Sequence, residues 1–193
     1  MCSSDLLSRL AAALPGGVEL PSAREIPKVL EGLEAEIAAR REAGGQPGSL
    51  VCLMVFGLQR FPALRHEEDF GLSSGGEDGP SAGERFASIL RDGPEQGVHS
   101  VVWCDTLNSA NRALSRKTLR EFDLRVLFQM SAADSSELID SAAAGNLGLH
   151  NAILSSQSES SQEKFRPYSV PDAACIEELG RAIAARSAPA GST

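Results

Sequence analysis

Aromatic residues are scarce. Seven Phe, one Tyr and one Trp make up 5% of the 193 residues, so the core must be aliphatic, built from Leu, Ile, Val and Ala. Long hydrophobic runs are absent as well. The longest unbroken one, Leu50 to Phe56, falls far short of the ~20 residues a membrane-spanning helix needs, and no membrane segment is expected. Residues 1–14, MCSSDLLSRLAAAL, hold an apolar stretch without a basic leader, flanked or interrupted by Asp5 and Arg9; that pattern is a helix rather than a secretion signal. Cys2, Cys52, Cys104 and Cys175 are scattered with no C-x-x-C pair, and His66, His99 and His150 stand apart. This spacing speaks against a disulfide framework or a metal site. Cys52 and Cys104 lie in apolar runs and read as small buried hydrophobes. Unpaired cysteines fit a reducing, cytoplasmic setting. Positive charge is also in deficit: 18 Lys and Arg against 26 Asp and Glu give a net charge of −8. That balance excludes a nucleic-acid binder held by its overall field and leaves room for a local basic segment.

Catalytic signatures are missing too. The chain contains no G-x-x-x-x-G-K-[ST] phosphate loop, and Pro15-Gly16-Gly17 is not followed by Gly-Lys-Ser/Thr. Neither G-x-S-x-G nor a G-x-G-x-x-G after a strand occurs. Ser74-Gly75-Gly76 sits in an acidic stretch that would repel phosphate.

What is present is ordinary globular material, 42% hydrophobic and 23% charged, in a length suited to one compact domain with a full core. A short helix is expected over 4–13, with Ser4 as a cap and Leu6, Leu7 and Leu10 on one side, ended by Pro15-Gly16-Gly17. Val18 to Leu20 reads as a short strand. Ser22 and Glu25 have capping-box spacing, Pro27 suits a first turn, and a helix runs to about Ala43. Its buried stripe is Val29, Leu30, Leu33 and Ile37, with Glu31, Glu34, Glu36, Arg40 and Arg41 facing water. The run 50–56 reads as a strand apolar on both faces, central in a covered, mainly parallel sheet. Residues 66–83 are acidic and rich in Gly and Ser, a mobile surface loop. A helix over 83–91, a strand over 98–104, two short helical pieces in 106–122 and a strand over 124–130 follow. Next come a helix over 132–140, a strand over 150–155, a polar SSQSESSQE loop and an edge strand at 163–169. A helix over 171–185 has Ile176, Leu179 and Ile183 inward. Residues 186–193 form a flexible tail. Alternating strands and helices predict an α/β layered fold. Its ligand edge would carry Phe56-Gly57, Cys104-Asp105 and Met130-Ser131.

The candidate chemistry gathers after the second strand. Asp105-Thr106 could contact a ligand or polarise a water; Asp before a helix is also an ordinary cap. Arg112, Arg116, Lys117, Arg120 and Arg125 crowd one short segment against Glu121 and Asp123. They suit phosphate or partner contact, or equally a solvated helical face paired with neighbouring acids. Asp134-Ser135-Ser136 most simply caps the following helix. The strand 50–56 is Walker-B-like in its apolar run but ends Phe56-Gly57-Leu58-Gln59, without the carboxylate that would hold magnesium.

The order of segments from Gly97 to Leu154 resembles the C-terminal half of an FtsK/SpoIIIE-type motor domain. The resemblance rests on Gly97, Val98 and His99 opening a strand, then Arg125, Gln129, Ser131, Asp134, Ser135, Asp140, Leu147 and Gly148 in order. GLQRFPALRHEEDFG, residues 57–71, further resembles a branch of that family whose acidic Walker-B end is lost. The likeness covers about 49–167, and the helix at 27–43 fits the segment preceding Walker B. Phe56 stands where the Walker-B acid belongs, Asp105 where a sensor Gln is usual, and Ser136 where Arg usually follows Asp-Ser. The resemblance implies a partial RecA-like P-loop NTPase fold over 1–185, a mainly parallel sheet flanked by helices. It also implies ATP bound between subunits of a ring and double-stranded DNA in its channel. In that reading the chain is the C-terminal portion of an ATP-dependent DNA translocase domain. It acts with a homo-oligomeric ring or an N-terminal Walker A-bearing segment, and ATP and Mg are held only in the complete assembly. Asp105 or Thr106 would face the γ-phosphate, Arg112 or Arg125 would cross a subunit interface, and Arg116, Lys117, Arg120 and Ser135 would meet DNA. No catalytic residue and no metal ligand is assigned. A truncated gene product, a separately encoded half and a degenerate family member all fit. Two other readings compete. One is a non-catalytic assembly or scaffolding module of the same fold, whose open sheet edge or face would make the isolated chain marginally stable or oligomeric. The other is an unrelated small-molecule enzyme, which would need a pocket of converging titratable groups.

Overall fold

The computed structural model describes residues 3–14, 18–44, 49–65 and 79–187. Cys2, the expected loop as far as Asp78, and the tail beyond Ser187 lie outside the described residues. Where the sequence suggests one domain over 1–185, the chain divides into two compact units. One combines Met1–Ser22 with Arg166–Thr193; the other is Ala23–Phe165.

The first unit is helical. It pairs α1 (Ser3–Ala13) with α7 (Ala173–Ser187). Ile176 is buried on α7, but Leu179, expected inward, is 46% exposed. Asp172 caps α7, its Oδ1 accepting the Cys175 N–H at 2.8 Å. Gly180 lies so close to the Ala13 carbonyl that a Cβ would collide with it. Val18 to Leu20 is not a strand: the segment is exposed and pairs with no other among the described residues.

The second unit is mixed α/β. Its elements are α2 (Ile26–Ala43), β1 (Val51–Phe56), α3 (Ala82–Asp92), β2 (Val98–Trp103), α4 (Leu107–Ala113), α5 (Arg116–Arg120), β3 (Leu124–Leu127), α6 (Ala132–Ile139), β4 (Ala152–Ser156) and β5 (Ser161–Phe165). The sheet expected to be mainly parallel is two sheets. β1 and β2 pair in parallel, with Val51 opposite Val98 and Phe56 opposite Trp103. β3, β4 and β5 form an antiparallel sheet in that order. The tight turn at 157–160 makes β4 and β5 antiparallel, because a short hairpin can only join antiparallel strands. The expected polar loop is thus mostly strand, and the edge strand begins at Ser161 rather than residue 163.

Each sheet has its own core. Leu30 and Ile37 of α2 and Phe86, Ile89 and Leu90 of α3 pack on Val55 and Val98, joined by Leu58, Leu64, Ala113 and Leu114. Leu127 and Ile153 pack against Ile139, Ala144 and Leu147. The strand 50–56, read as apolar and covered on both faces, is covered on one. Val55 is buried, whereas Met54 is 69% and Phe56 44% exposed. Cys52 lies on that open face and is exposed. The all-apolar composition conceals this, since only packing separates the faces.

Polar side chains fix the layers. Of the residues expected to face water, Arg40 and Glu34 are partly buried. Arg40 donates from Nε to Glu36 at 2.7 Å, from Nη1 to the Gln96 carbonyl at 2.9 Å and from Nη2 to the Ser49 carbonyl at 3.1 Å, tying α2 to the lead-in of both parallel strands. Arg85 of α3 is paired with Glu34 of α2. The capping box sits on α3, not α2. Ser81 Oγ accepts the Glu84 N–H at 3.2 Å, and Glu84 Oε2 accepts the Ser81 N–H at 2.7 Å. At α2 the N-cap is Glu25, with no side-chain cap, and Pro27 stands in the first turn. The S-A-G-E pattern was readable, but its Gly and Ser neighbours resemble loop.

Gly93 joins α3 to β2 with an ordinary helical φ of −65°. It must be glycine for space: a Cβ would lie 2.5 Å from the Ile89 carbonyl oxygen and 2.6 Å from that of Val98. Gly93→Ala should therefore destabilise the chain by about 1–3 kcal/mol in urea denaturation. Ser81→Ala should cost about 1 kcal/mol, and a Gly93→Ala chain as stable as the parent would refute the close approach.

Candidate functional site

The parallel pair brings two of the three expected strand ends together. Phe56 lies opposite Trp103, and the Gly57 N–H donates to the Trp103 carbonyl at 3.1 Å. The third, Met130-Ser131, lies beyond β3, which ends at Leu127 and not at residue 130 and pairs into the other sheet, so strand pairing does not bring it beside them. Gly57 takes φ 88°, a conformation that favours glycine, and turns the chain into the 3-10 segment Leu58–Arg60. At this edge Gln59 Oε1 is buried without a hydrogen-bond partner.

Asp105 and Thr106 lead from β2 into α4. Thr106 is the N-cap: its Oγ1 accepts the Ser109 N–H at 3.1 Å and lies 2.9 Å from the Ser109 hydroxyl and 3.3 Å from Asp105 Oδ1. Hydrogen bonds from Ser109, and then Thr106, hold the Asp105 carboxyl below its usual range. The carboxylate is exposed at the strand end. Burial pushes the neighbouring Cys104 thiol up, with the Asp105 charge adding to it, so Cys104 is not an activated nucleophile.

The cations divide into two kinds. Arg112, Arg116, Lys117 and Arg120 are exposed on α4 and α5. Among the described residues the ion pairs involve other arginines, Arg40, Arg41, Arg85 and Arg91. Arg125 is different: its guanidinium turns inward. Nη1 donates to the Leu138 carbonyl and Nη2 to the Leu119 carbonyl at 2.9 Å. With its amide oxygen toward the guanidinium, Gln157 accepts from both at 3.0 and 2.9 Å. Burial lowers the Arg125 pKa, partly countered by Asp140 and Asp123, and the group remains a cation. Arg125 thus ties α5, α6 and the β4–β5 turn together.

Ser135 is likewise interior. It is 0% exposed, its hydroxyl donates to the Ser141 carbonyl at 2.5 Å, and it accepts the Ala144 N–H at 3.2 Å. The cap of α6 is Ser131, whose Oγ accepts the Asp134 N–H at 3.0 Å; Asp134-Ser135-Ser136 lies within the helix. Sequence reasoning passed over Asp123. Its Oδ1 accepts the Ser158 N–H at 2.6 Å and its Oδ2 the Ser158 hydroxyl at 2.9 Å, pinning the hairpin turn. Those two bonds, the backbone one foremost, hold its carboxyl below the usual range.

Among the described residues no three His, Cys, Asp or Glu side chains could hold a metal ion together. The end of β1 offers Phe56, Gly57 and Gln59 where magnesium would need a carboxylate, so these residues do not fit a magnesium nucleotide. A shallow depression between α1 and α7 is lined by Ala12, Ala13, Gly180 and Ala184, with Glu177 and Arg181 at its side. It holds no acid, base and nucleophile in converging positions. No described helix is long and apolar enough to cross a membrane. No family model and no curated protein matches the chain.

Two outcomes follow from Arg125 and Asp123. Arg125→Ala removes one donor from each of the Leu119 and Leu138 carbonyls and should cost about 2 kcal/mol. Arg125→Lys should recover only part, because one ammonium cannot replace a fork reaching three segments. An Arg125→Ala chain with an unchanged denaturation midpoint would argue against this role. For Asp123 the folded pKa lies below the unfolded one. Its stabilisation is therefore present above the unfolded pKa and lost as pH falls through the folded value. Stability measured against pH should drop on the acid side in the parent, and Asp123→Asn should flatten that drop while lowering stability at neutral pH.

Proposed function

We propose that this chain is the C-terminal portion of an FtsK/SpoIIIE-like DNA translocase domain that works within a ring assembly and does not hydrolyse ATP by itself. The observation that carries the reading is the exposed basic pair α4 and α5, directly after the strand end Asp105-Thr106, beside a β1 end without a carboxylate. Arg112, Arg116, Lys117 and Arg120 supply cations for a phosphate backbone in a chain whose overall charge would repel it. Asp105 and Thr106 are the residues that would approach a nucleotide held by another chain or segment. Phosphoryl transfer depends on positioned metal and charge, and no positioned group here replaces the carboxylate at Phe56. Arg125 and Ser135 are absorbed by the fold, so the arginine offered across an interface is Arg112.

A second reading, a scaffolding module of the same layered fold, is favoured by a specific observation. Among the described residues β1–β2 is covered on one face only, and Leu124 and Val126 of β3 and Phe128 just after it are 61%, 52% and 50% exposed.

Fluorescence anisotropy with a labelled duplex separates the two. The translocase reading expects salt-sensitive binding, weakened at least tenfold by joint Arg116→Glu, Lys117→Glu and Arg120→Glu substitution, with a salt slope smaller by about 3. Calorimetry of the isolated chain with ATP and magnesium should show no binding. Duplex affinity indifferent to those substitutions leaves the scaffolding reading, and magnesium-dependent ATP binding defeats the claim that the chain lacks its own site.

A further inference from the structure

We propose that the open face of β1–β2 is a self-association surface, occupied by the same face of a second copy of this chain. The face is made by alternate residues of the two strands: Cys52, Met54 and Phe56 opposite His99, Val101 and Trp103. Met54 is 69%, Val101 56%, Phe56 44% and Trp103 40% exposed. The Phe56 and Trp103 rings stack, with centroids 4.9 Å apart and planes 16° from parallel. The opposite face packs into the core through Val55 and Val98, with Val51, Leu53 and Val102 against it. Parallel strands are stable almost only in sheets covered on both sides, so this face is short of one layer.

Three considerations select a second copy. The face holds no Lys, Arg, Asp or Glu, so pairing the faces buries none of those ions. The chain's own undescribed residues are poorly suited to cover it: their longest run, 66–78, carries Glu67, Glu68, Asp69, Glu77 and Asp78, and carboxylates do not bury on apolar surface. Area then sets the strength. The exposed side chains amount to roughly 500 Å² per copy and about 1,000 Å² for a pair, the threshold of a specific reversible interface, with an aromatic anchor in it. Two sheets stacked face to face about 10 Å apart complete the layer each lacks. In either in-plane two-fold arrangement Met54 and Val101, in the middle of their strands, lie near the axis. A charge placed there meets its own image.

This inference rests on the one-sided sheet and uses neither nucleotide nor DNA, so it stands or falls apart from the translocase reading. Trp103 is the chain's one tryptophan, and its emission therefore reports on this face alone. The full chain, free of DNA and nucleotide, should pass from monomer to dimer across the micromolar range in sedimentation velocity. Trp103 emission should shift to the blue over the same concentrations. Because each copy carries −8, added salt should tighten the dimer by screening repulsion, whereas a contact built on charge attraction would loosen. Val101→Lys should weaken association at least tenfold and abolish the concentration-dependent shift. Met54→Glu, at a more exposed position, should do the same while both variants keep the parent's circular dichroism. A chain monomeric throughout, a dimer indifferent to both substitutions, open-ended larger species, or a Trp103 shift seen only on adding another protein would each overturn the proposal.

Discussion

The contact of α3 with the inner face of β1–β2 is the one on which the larger unit depends. Phe86, Ile89 and Leu90 fall on one side of that helix and are buried against Val55 and Val98. With so few aromatics available, Phe86 supplies a volume no neighbour could replace, and the aliphatic residues around it add the area. Burial of such side chains contributes about 1.5–3 kcal/mol each, which is why so short a parallel pair persists. The close approach at Gly93 sets how near α3 lies to β2, and Arg40 and Arg85 fix α2 alongside. Hydrophobic burial gives this layer its stability; the arginines give it its angle.

The antiparallel half works differently. Its apolar cluster is small, and polar groups carry much of the specification. Arg125 gathers carbonyls from positions 119 and 138 and the Gln157 amide, Asp123 holds the turn at Ser158, and Ser135 bridges 141 and 144. A buried guanidinium is tolerable because its donors meet carbonyls arranged around it, though its Nε is left without a partner. The serine-rich composition of 155–161 makes sense in this light: serines pair with the carboxylate of Asp123 instead of dissolving into loop.

The fold's elements were largely legible in the sequence, since the periodicity of 26–43 and the apolar runs at 51–56 and 98–103 are local signals. Pairing was not legible. Nothing in LVCLMVF distinguishes the face that meets α3 from the face left open, because every residue is apolar. Val18–Leu20 has strand composition, but a strand needs a neighbour and finds none among the described residues. Site residues failed or held for the same reason. Thr106 is a cap by local spacing, and Ser131 three residues before Asp134 carries the same readable pattern. The direction of Arg125 depends on carbonyls brought together only by folding, so no spacing rule could separate it from Arg112 or Arg120. Ser135 looked like a cap because it follows Asp; its burial is set by the segment at 141–144.

These outcomes bear on what kind of function the chain can have. Two groups that looked chemically promising in the sequence, Arg125 and Ser135, are used up in holding it together. Among the described residues two further sorts of group stand at the surface, the cations on α4 and α5 and the apolar side chains on the open strands. Both make surfaces. The two surfaces answer oppositely to ionic strength: a cationic face loses affinity as salt rises, and an apolar face in an acidic chain gains it. A protein built this way would change partners with its ionic surroundings.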